Sequence, residues 1–230
     1  MIIAGREIKR IITSGCSFTY GQGLDNPQEE SWPAQLSKLF NIDFVNLGLF
    51  GMGNEYISSS IIDYFSLNEE HKIDSLVIPC FTIYSRLEFN SVRRNKSYKD
   101  PQWTTILNGR IEHEFTQKFF EDYFIPEYYY SRYIRTIISL QSILKNWDIP
   151  YLMFEGLSGN PHKDMLKNDR IKKLIDQIDR KCWLRFTTGN LDNMTSPMNR
   201  LPDGHPNKLA YAEMANLLHK HIINNYVTEQ

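Results

Sequence analysis

The sequence predicts an α/β protein in which a parallel sheet of about five strands lies between two helical layers. Two observations carry that expectation. Short apolar runs bounded by Gly, Pro or Asn alternate with segments of a dozen or more residues whose apolar side chains recur at helical spacing. The run Asp74-Ser75-Leu76-Val77-Ile78-Pro79-Cys80-Phe81 is continuously apolar at its centre, as a strand covered on both faces must be, and lacks the alternation of a half-exposed one. At 230 residues the chain is long enough for one substantial core, and residues 1–230 read as a single domain.

The elements follow in order. Ile11-Ile12 in KRIITSG reads as a short buried strand that runs into a Gly- and Ser-containing turn, Gly15 to Gly23. A helix starts at Ser31 as N-cap, tolerates Pro33 in its first turn, and lines Trp32, Leu36, Leu39 and Phe40 along one face. Asp43-Phe44-Val45-Asn46 is a second strand, followed by Gly48 and Gly51, and Ile57, Ile61 and Phe65 then mark the buried side of a helix. The Asp74–Phe81 run is the third strand. From about 90 to 124 no period is sustained, and this stretch reads as an insertion, a lid placed near the active site. Tyr133, Ile137, Leu140 and Leu144 define a long helix closed by Pro150, before the strand Tyr151-Leu152-Met153-Phe154. Lys163 to Arg180 reads as a charged amphipathic helix, Cys182 to Phe186 as a fifth strand, and Tyr211, Ala215, Leu218 and Ile222 as the buried face of a closing helix.

Composition excludes several partners. Twenty-six Lys and Arg against 27 Asp and Glu leave a formal charge of −1, which gives no reason to expect nucleic acid or an anionic membrane. No 18 apolar residues follow one another and MIIAGREIKR lacks the apolar run of a secretory segment, so a cytoplasmic protein is expected. Cys16, Cys80 and Cys182 are odd in number and widely spaced, as reduced thiols would be. No H-E-x-x-H, C-x-x-C pair or carboxylate cluster calls for a metal, and no cofactor is indicated. His219 and His221 are two apart on a helix and point to different sides, while His71, His113 and His162 read as surface or loop residues.

In parallel sheets functional groups gather on loops at the carboxyl ends of the strands. Gly15-Cys16-Ser17-Phe18-Thr19-Tyr20-Gly21, after the first strand, has neither the Lys nor the spacing of a phosphate-binding loop, and Thr19 stands where a G-x-S-x-G elbow needs its second glycine. By itself it is a Gly/Ser turn in which Ser17 caps a helix or serves as a nucleophile. The setting resembles the first block of the SGNH (GDSL-type) hydrolases, Gly-Asp-Ser-x-Thr, with Cys16 in place of the aspartate. Val45-Asn46-Leu47-Gly48-Leu49-Phe50-Gly51 looks like that family's N-x-G-x-x-G, and Pro202-Asp203-Gly204-His205-Pro206-Asn207 resembles its Asp-His pair before the last helix. The resemblance spans essentially the whole chain. It implies a flavodoxin-like three-layer α/β/α fold and a serine esterase or deacylase that removes acetyl or short acyl groups from a hydroxyl-bearing substrate such as a glycan. It also implies roles: Ser17 as nucleophile, His205 as base, Asp203 as the group that steadies the imidazolium, and the backbone N–H groups of Ser17 and Gly51 as oxyanion donors.

The sequence departs from the family in three places. Asp203 and His205 are separated by one residue where two are usual, Cys16 replaces an aspartate, and Ile83 stands where the third block, G-x-N-D, has an oxyanion-donating Asn. Asn54, Thr82, Ser85 and Arg86 are the candidates for substrate or oxyanion support, with capping the expected duty of Asn54 and a structural tie to Glu88 or an insertion carboxylate that of Arg86. These departures motivate a rival reading, a catalytically degenerate binding or assembly module; an O-acyltransferase would use the same residues. The aromatic residues Trp103, Phe119, Phe120, Tyr123, Phe124 and Tyr128 to Tyr130 mark either a wall for a sugar or other bulky substrate or a homo-oligomer interface.

Overall fold

The computed structural model describes residues 1–3, 5–90, 103–106, 114–157, 161, 163–185, 190 and 199–227. Its strands are β1 (Ile2–Ile3), β2 (Arg6–Glu7), β3 (Arg10–Gly15), β4 (Asp43–Asn46), β5 (Ser75–Phe81), β6 (Leu87–Asn90), β7 (Trp103–Ile106) and β8 (Phe154–Glu155). The helices are α1 (Ser17–Tyr20), α2 (Pro27–Glu30), α3 (Trp32–Phe40), α4 (Asn54–Leu67), α5 (Glu114–Asp122), α6 (Pro126–Asn146), α7 (Asp169–Ile175) and α8 (Lys208–Asn225).

The central sheet is parallel in the order β4-β3-β5-β8, with Gly15 opposite Cys80 and Thr13 opposite Asn46. Successive residues along each strand face opposite layers, because the side-chain period of a strand is two. Ile11, Leu76, Ile78, Cys80, Leu152 and Phe154 pack with Trp32, Leu36, Tyr211, Met214 and Leu218 of α3 and α8. Their neighbours Ile12, Val77, Phe81, Tyr151 and Met153 pack with Ile57, Ile61, Phe65, Ile137, Leu140 and Leu144 of α4 and α6. Each fully buried aliphatic or aromatic side chain in these layers contributes about 1.5–3 kcal/mol. The expected faces of α4, α6 and α8 are therefore the observed ones, and the expected three-layer α/β/α sandwich is the observed architecture. Asn207 caps α8, its side chain accepting from the backbone of Leu209 and Ala210.

Several expectations are corrected. The sheet proper has four strands: the expected fifth, Cys182–Phe186, is reduced to one parallel bridge between Trp183 and Met153, with Phe186 outside the described residues. The expected helix over Lys163–Arg180 is broken. Asn168 accepts from the backbone of Arg170 and Ile171 and so starts a new helix, α7, and Asp179 accepts from Lys181 N at the next short turn. Leu39 of α3 is exposed, and Ser31 sits at the N-cap position of α3 without a side-chain bond. The stretch without a period holds a β6–β7 antiparallel hairpin and α5; residues 91–102 and 107–113 lie outside the described residues. The β1–β2 pair, turned by Gly5 at φ +77°, has too few residues to register as a pattern. No helix among the described residues is long and apolar enough to cross a membrane.

Candidate active site

The order β4-β3-β5-β8 makes β3 the strand from which the chain departs first to one side and then to the other. The crevice at its carboxyl end is the switch point where such sheets bind ligands, and Ser17 lies two residues beyond β3. The turn there is compact. A Cβ at Gly15 would stand 2.0 Å from the Thr19 hydroxyl, so only glycine lets Thr19 fold back over the strand end. Cys16, not Ser17, holds the N-cap position, and it makes no side-chain cap bond. Ser17 is the first helical residue and only 6% exposed. Cys16 is fully buried in the layer between sheet and α3/α8, so the family aspartate is replaced here by core packing. Burial and the neighbouring Cys16 push the Cys80 thiol far above its ordinary range, which leaves it unreactive.

The loop after β4 is fastened to this turn. Leu47 N–H donates to Thr13 O at 2.8 Å and Leu49 N–H to Gly15 O at 3.1 Å, extending the strand pairing. Asn46 Nδ2 donates to Thr19 O at 2.8 Å, while its Oδ1 accepts from Gly48 N at 2.9 Å in an Asx turn. A Cβ at Gly48 would stand 2.8 Å from Tyr20 N, so the two loops touch through backbone. Gly51 follows at φ +78°, with nothing within 4 Å of where a Cβ would stand.

Asp203 and His205 arrive on a tight hairpin. Gly204 N–H donates to Leu201 O at 2.9 Å and Leu201 N–H to His205 O at 2.7 Å, with Gly204 at φ +86°, a three-residue loop in which Pro202 sets the first turn angle and glycine the left-handed one. The short spacing thereby still joins the pair: Asp203 Oδ1 accepts from His205 N at 3.1 Å, and Oδ2 lies 3.0 Å from His205 Nδ1. That second contact is close but not aligned as a hydrogen bond. Asp203 is 49% exposed, and the His205 backbone N–H holds its carboxyl below the usual range. The His205 ring lies 5.7 Å from that of Phe18, next to Ser17, and the Arg200 guanidinium lies 5.8 Å from the Phe18 ring centre.

The four supporting candidates divide differently from expectation. Asn54 neither caps a helix nor offers a free donor. It is buried as the first residue of α4, and its Nδ2 donates to Thr82 O at 3.0 Å and Ile83 O at 3.3 Å while Oδ1 accepts from Thr82 N at 2.9 Å. Both amide hydrogens are spent on the end of β5, because the third-block segment needs its backbone paired where the sheet stops. Thr82 is buried, its hydroxyl without a hydrogen-bond partner among the described residues. Ser85 sits half-buried in the turn closed by Arg86 N–H and Ile83 O. Arg86 is a structural tie, but to backbone: its Nη1 donates to Met52 O at 3.2 Å, and among the described residues it makes no ion pair with Glu88. Glu88, expected only as a partner for Arg86, accepts from Gly53 N and, at 3.1 Å, from Tyr56 N. Burial pushes its carboxyl up to about 7. No local pattern signals it, since it reaches α4 from another strand.

The aromatic stretch is a stack. Phe119, Phe120, Phe124 and Tyr129 contact one another, and Tyr84 after β5 stacks on Phe124 at 6.3 Å and meets Tyr130 edge-on at 5.4 Å. Tyr123 and Tyr128 are exposed. His71 is partly buried, accepting or donating at 2.7 Å to the Tyr64 hydroxyl, and His219 packs on Phe40 at 4.5 Å; His113 and His162 lie outside the described residues.

No family model matches the chain, and no curated protein matches it. Solved structures do. The chain is similar to a putative lipolytic protein of the G-D-S-L family from Desulfitobacterium hafniense DCB-2 (16% identity, 92% of this chain and 98% of that one, TM-score 0.54). It is similar to the psychrotrophic esterase EstA from Pseudoalteromonas sp., solved inhibited by monoethylphosphonate (12%, 94% and 96%, 0.52). A catalytic mutant of Axe2, an acetylxylan esterase from Geobacillus stearothermophilus, is similar over 98% of this chain and 99% of that one (14%, 0.55). With Ser17 at the switch point and the Asp203–His205 hairpin before the last helix, the chain has the fold of the SGNH (GDSL-type) hydrolases.

Proposed function

We propose that the protein is a serine esterase or deacylase that removes acetyl or short acyl groups from a hydroxyl-bearing substrate such as a glycan. The observation that carries this reading is the hairpin that sets His205 beside Asp203 and against Phe18, the neighbour of Ser17 at the switch point. In the reaction Ser17 Oγ attacks the ester carbonyl carbon while His205 takes the hydroxyl proton. The negative charge on the carbonyl oxygen is met by the backbone N–H groups of Ser17 and Gly51, and the C–O bond breaks as His205 returns the proton to the leaving alcohol. Water, deprotonated by the same imidazole, then attacks the acyl carbon, and the bond to Ser17 Oγ breaks as the imidazolium returns its proton to that oxygen and the acid leaves. Asp203 steadies the imidazolium from its Nδ1 side. The acetylated-sugar substrate follows the esterase neighbours and the exposed rings of Tyr123 and Tyr128, which offer flat apolar faces to sugar C–H groups.

The expected outcome is that Ser17→Ala lowers p-nitrophenyl acetate hydrolysis to background with the fold intact by circular dichroism, and that a fluorophosphonate labels Ser17 in the unmodified chain. Retained turnover in Ser17→Ala sinks the reading. A binding module is the second reading, favoured by the spent amide of Asn54 and the apolar Ile83 where a third donor would stand. It predicts no labelling of Ser17 at any neutral pH.

A further inference from the structure

With Asn54 committed to the end of β5 and Ile83 unable to donate, the esterase reading leaves the oxyanion to two backbone N–H groups, so where Gly51 stands matters more than usual. Among the described residues nothing packs on the open side of Gly51. Within its own loop Met52 N–H donates to Leu49 O at 3.4 Å, and the other holds on residues 52 and 53 come from the segment after β5. Arg86 Nη1 donates to Met52 O at 3.2 Å, and a Glu88 oxygen accepts from Gly53 N and Tyr56 N. The contact is close by construction: a Cβ at Gly53 would stand 2.6 Å from Arg86 O and 2.8 Å from Glu88 Cδ.

Glu88 is 6% exposed and borders a cavity of about 20 Å³, room for one water, shared with Glu55, Arg86 and Arg132. Burying a carboxylate is costly unless its oxygens are bonded. Here α4 starts on Gly53, which has no side chain to cap it, and Glu88 supplies the missing acceptor from a neighbouring strand.

We propose that Glu88, helped by Arg86, is a positioning residue that fixes the Gly51 N–H toward the oxyanion. The stretch that in related hydrolases carries a third donor here braces the second one instead. This inference rests on the esterase reading. In Glu88→Ala, assayed where the protein is folded, kcat falls on the order of 100-fold with KM little changed, as expected of a donor displaced by about 1 Å. Glu88→Gln, whose carbonyl oxygen still accepts, keeps kcat within about 10-fold of the parent. Amide exchange at Gly51 to Gly53 speeds up in Glu88→Ala. A folded Glu88→Ala with unchanged kcat and only a lower melting temperature overturns the inference and leaves Glu88 a helix cap. Should Glu88→Ala fail to fold, Arg86→Met, which frees Met52 O alone, gives a smaller fall in kcat, and an unchanged kcat there overturns it equally. If the unmodified chain shows no turnover dependent on Ser17, the esterase reading fails separately. Exchange at Gly51 to Gly53 needs no substrate and still decides whether Glu88 holds the turn.

Discussion

The loop after β4 and the loop before α8 both bring glycine-turned backbone to the carboxyl end of β3, yet they are held in different ways. The first is fastened from three sides: to β3 through Thr13 O and Gly15 O, to α1 through Asn46, and to the segment after β5 through Arg86 and Glu88. The second draws its bonds mostly from within, Leu201 with His205 and Gly204, and Arg200 Nη1 with Gly204 O at 2.9 Å, and meets α1 through ring contacts on Phe18. A backbone N–H has no side-chain freedom and can only be aimed by fixing the chain around it. A histidine aims itself by rotamer, and a small self-closed turn suffices to present it.

This contrast can be broken most forcefully at His205. His205→Ala is expected to lower ester turnover by about 1000-fold or more with the fold intact, since the hairpin closes through backbone bonds and loses only the ring contact with Phe18. An unaltered rate would remove His205 from the chemistry. Asp203→Asn is expected to cost less, about 10- to 100-fold, because the carboxylate is half-exposed and off line from Nδ1; steady-state kinetics of the two variants side by side tests the order.

The fastened loop should instead answer to pH through stability. Glu88 is raised from 4.5 to about 7 by burial, with Glu55 adding to the rise and the Gly53 and Tyr56 N–H groups opposing it. Between those values the folded chain holds a proton that the unfolded chain has lost, so its contribution is full below about pH 4.5 and is lost as pH rises through about 7, a fall of about 3 kcal/mol. Glu88→Gln should flatten that part of the profile in denaturant titrations, and an unchanged slope would place the titration elsewhere.

The smallest expected difference is between two glycines. Gly48→Ala drives a Cβ to 2.8 Å from Tyr20 N and 3.1 Å from Thr19 C, both backbone, and should cost about 2 kcal/mol. Gly204→Ala meets open space and bears only the strain of φ +86°, about 1 kcal/mol. Thermal unfolding of both variants compares the two loops directly.

Much of this was legible along the chain. Ile57, Ile61 and Phe65, or Tyr211, Ala215, Leu218 and Ile222, repeat at a period that one helix face alone explains, and the Asp74–Phe81 run is too apolar for anything but a central strand; all but Asp74 are buried. The three blocks around Ser17, Gly51 and His205 were legible because turns need particular residues at particular places: glycine at Gly15 and Gly48 for close approach, Pro-Asp-Gly for the hairpin. What the tertiary structure alone decided are the pairings between distant segments. Asn54 read as a cap and is a clamp on β5; Arg86 read as a partner for Glu88 or another carboxylate and holds Met52 O; Glu88 read only as that partner and holds the start of α4. The fifth strand failed for the same reason, since Cys182–Phe186 has strand composition but pairs with Met153 at a single residue. Periodicity records which way a side chain points from its own backbone. Which donor a buried carboxylate or guanidinium finds depends on what the fold brings within about 3 Å of it, and no local pattern carries that distance.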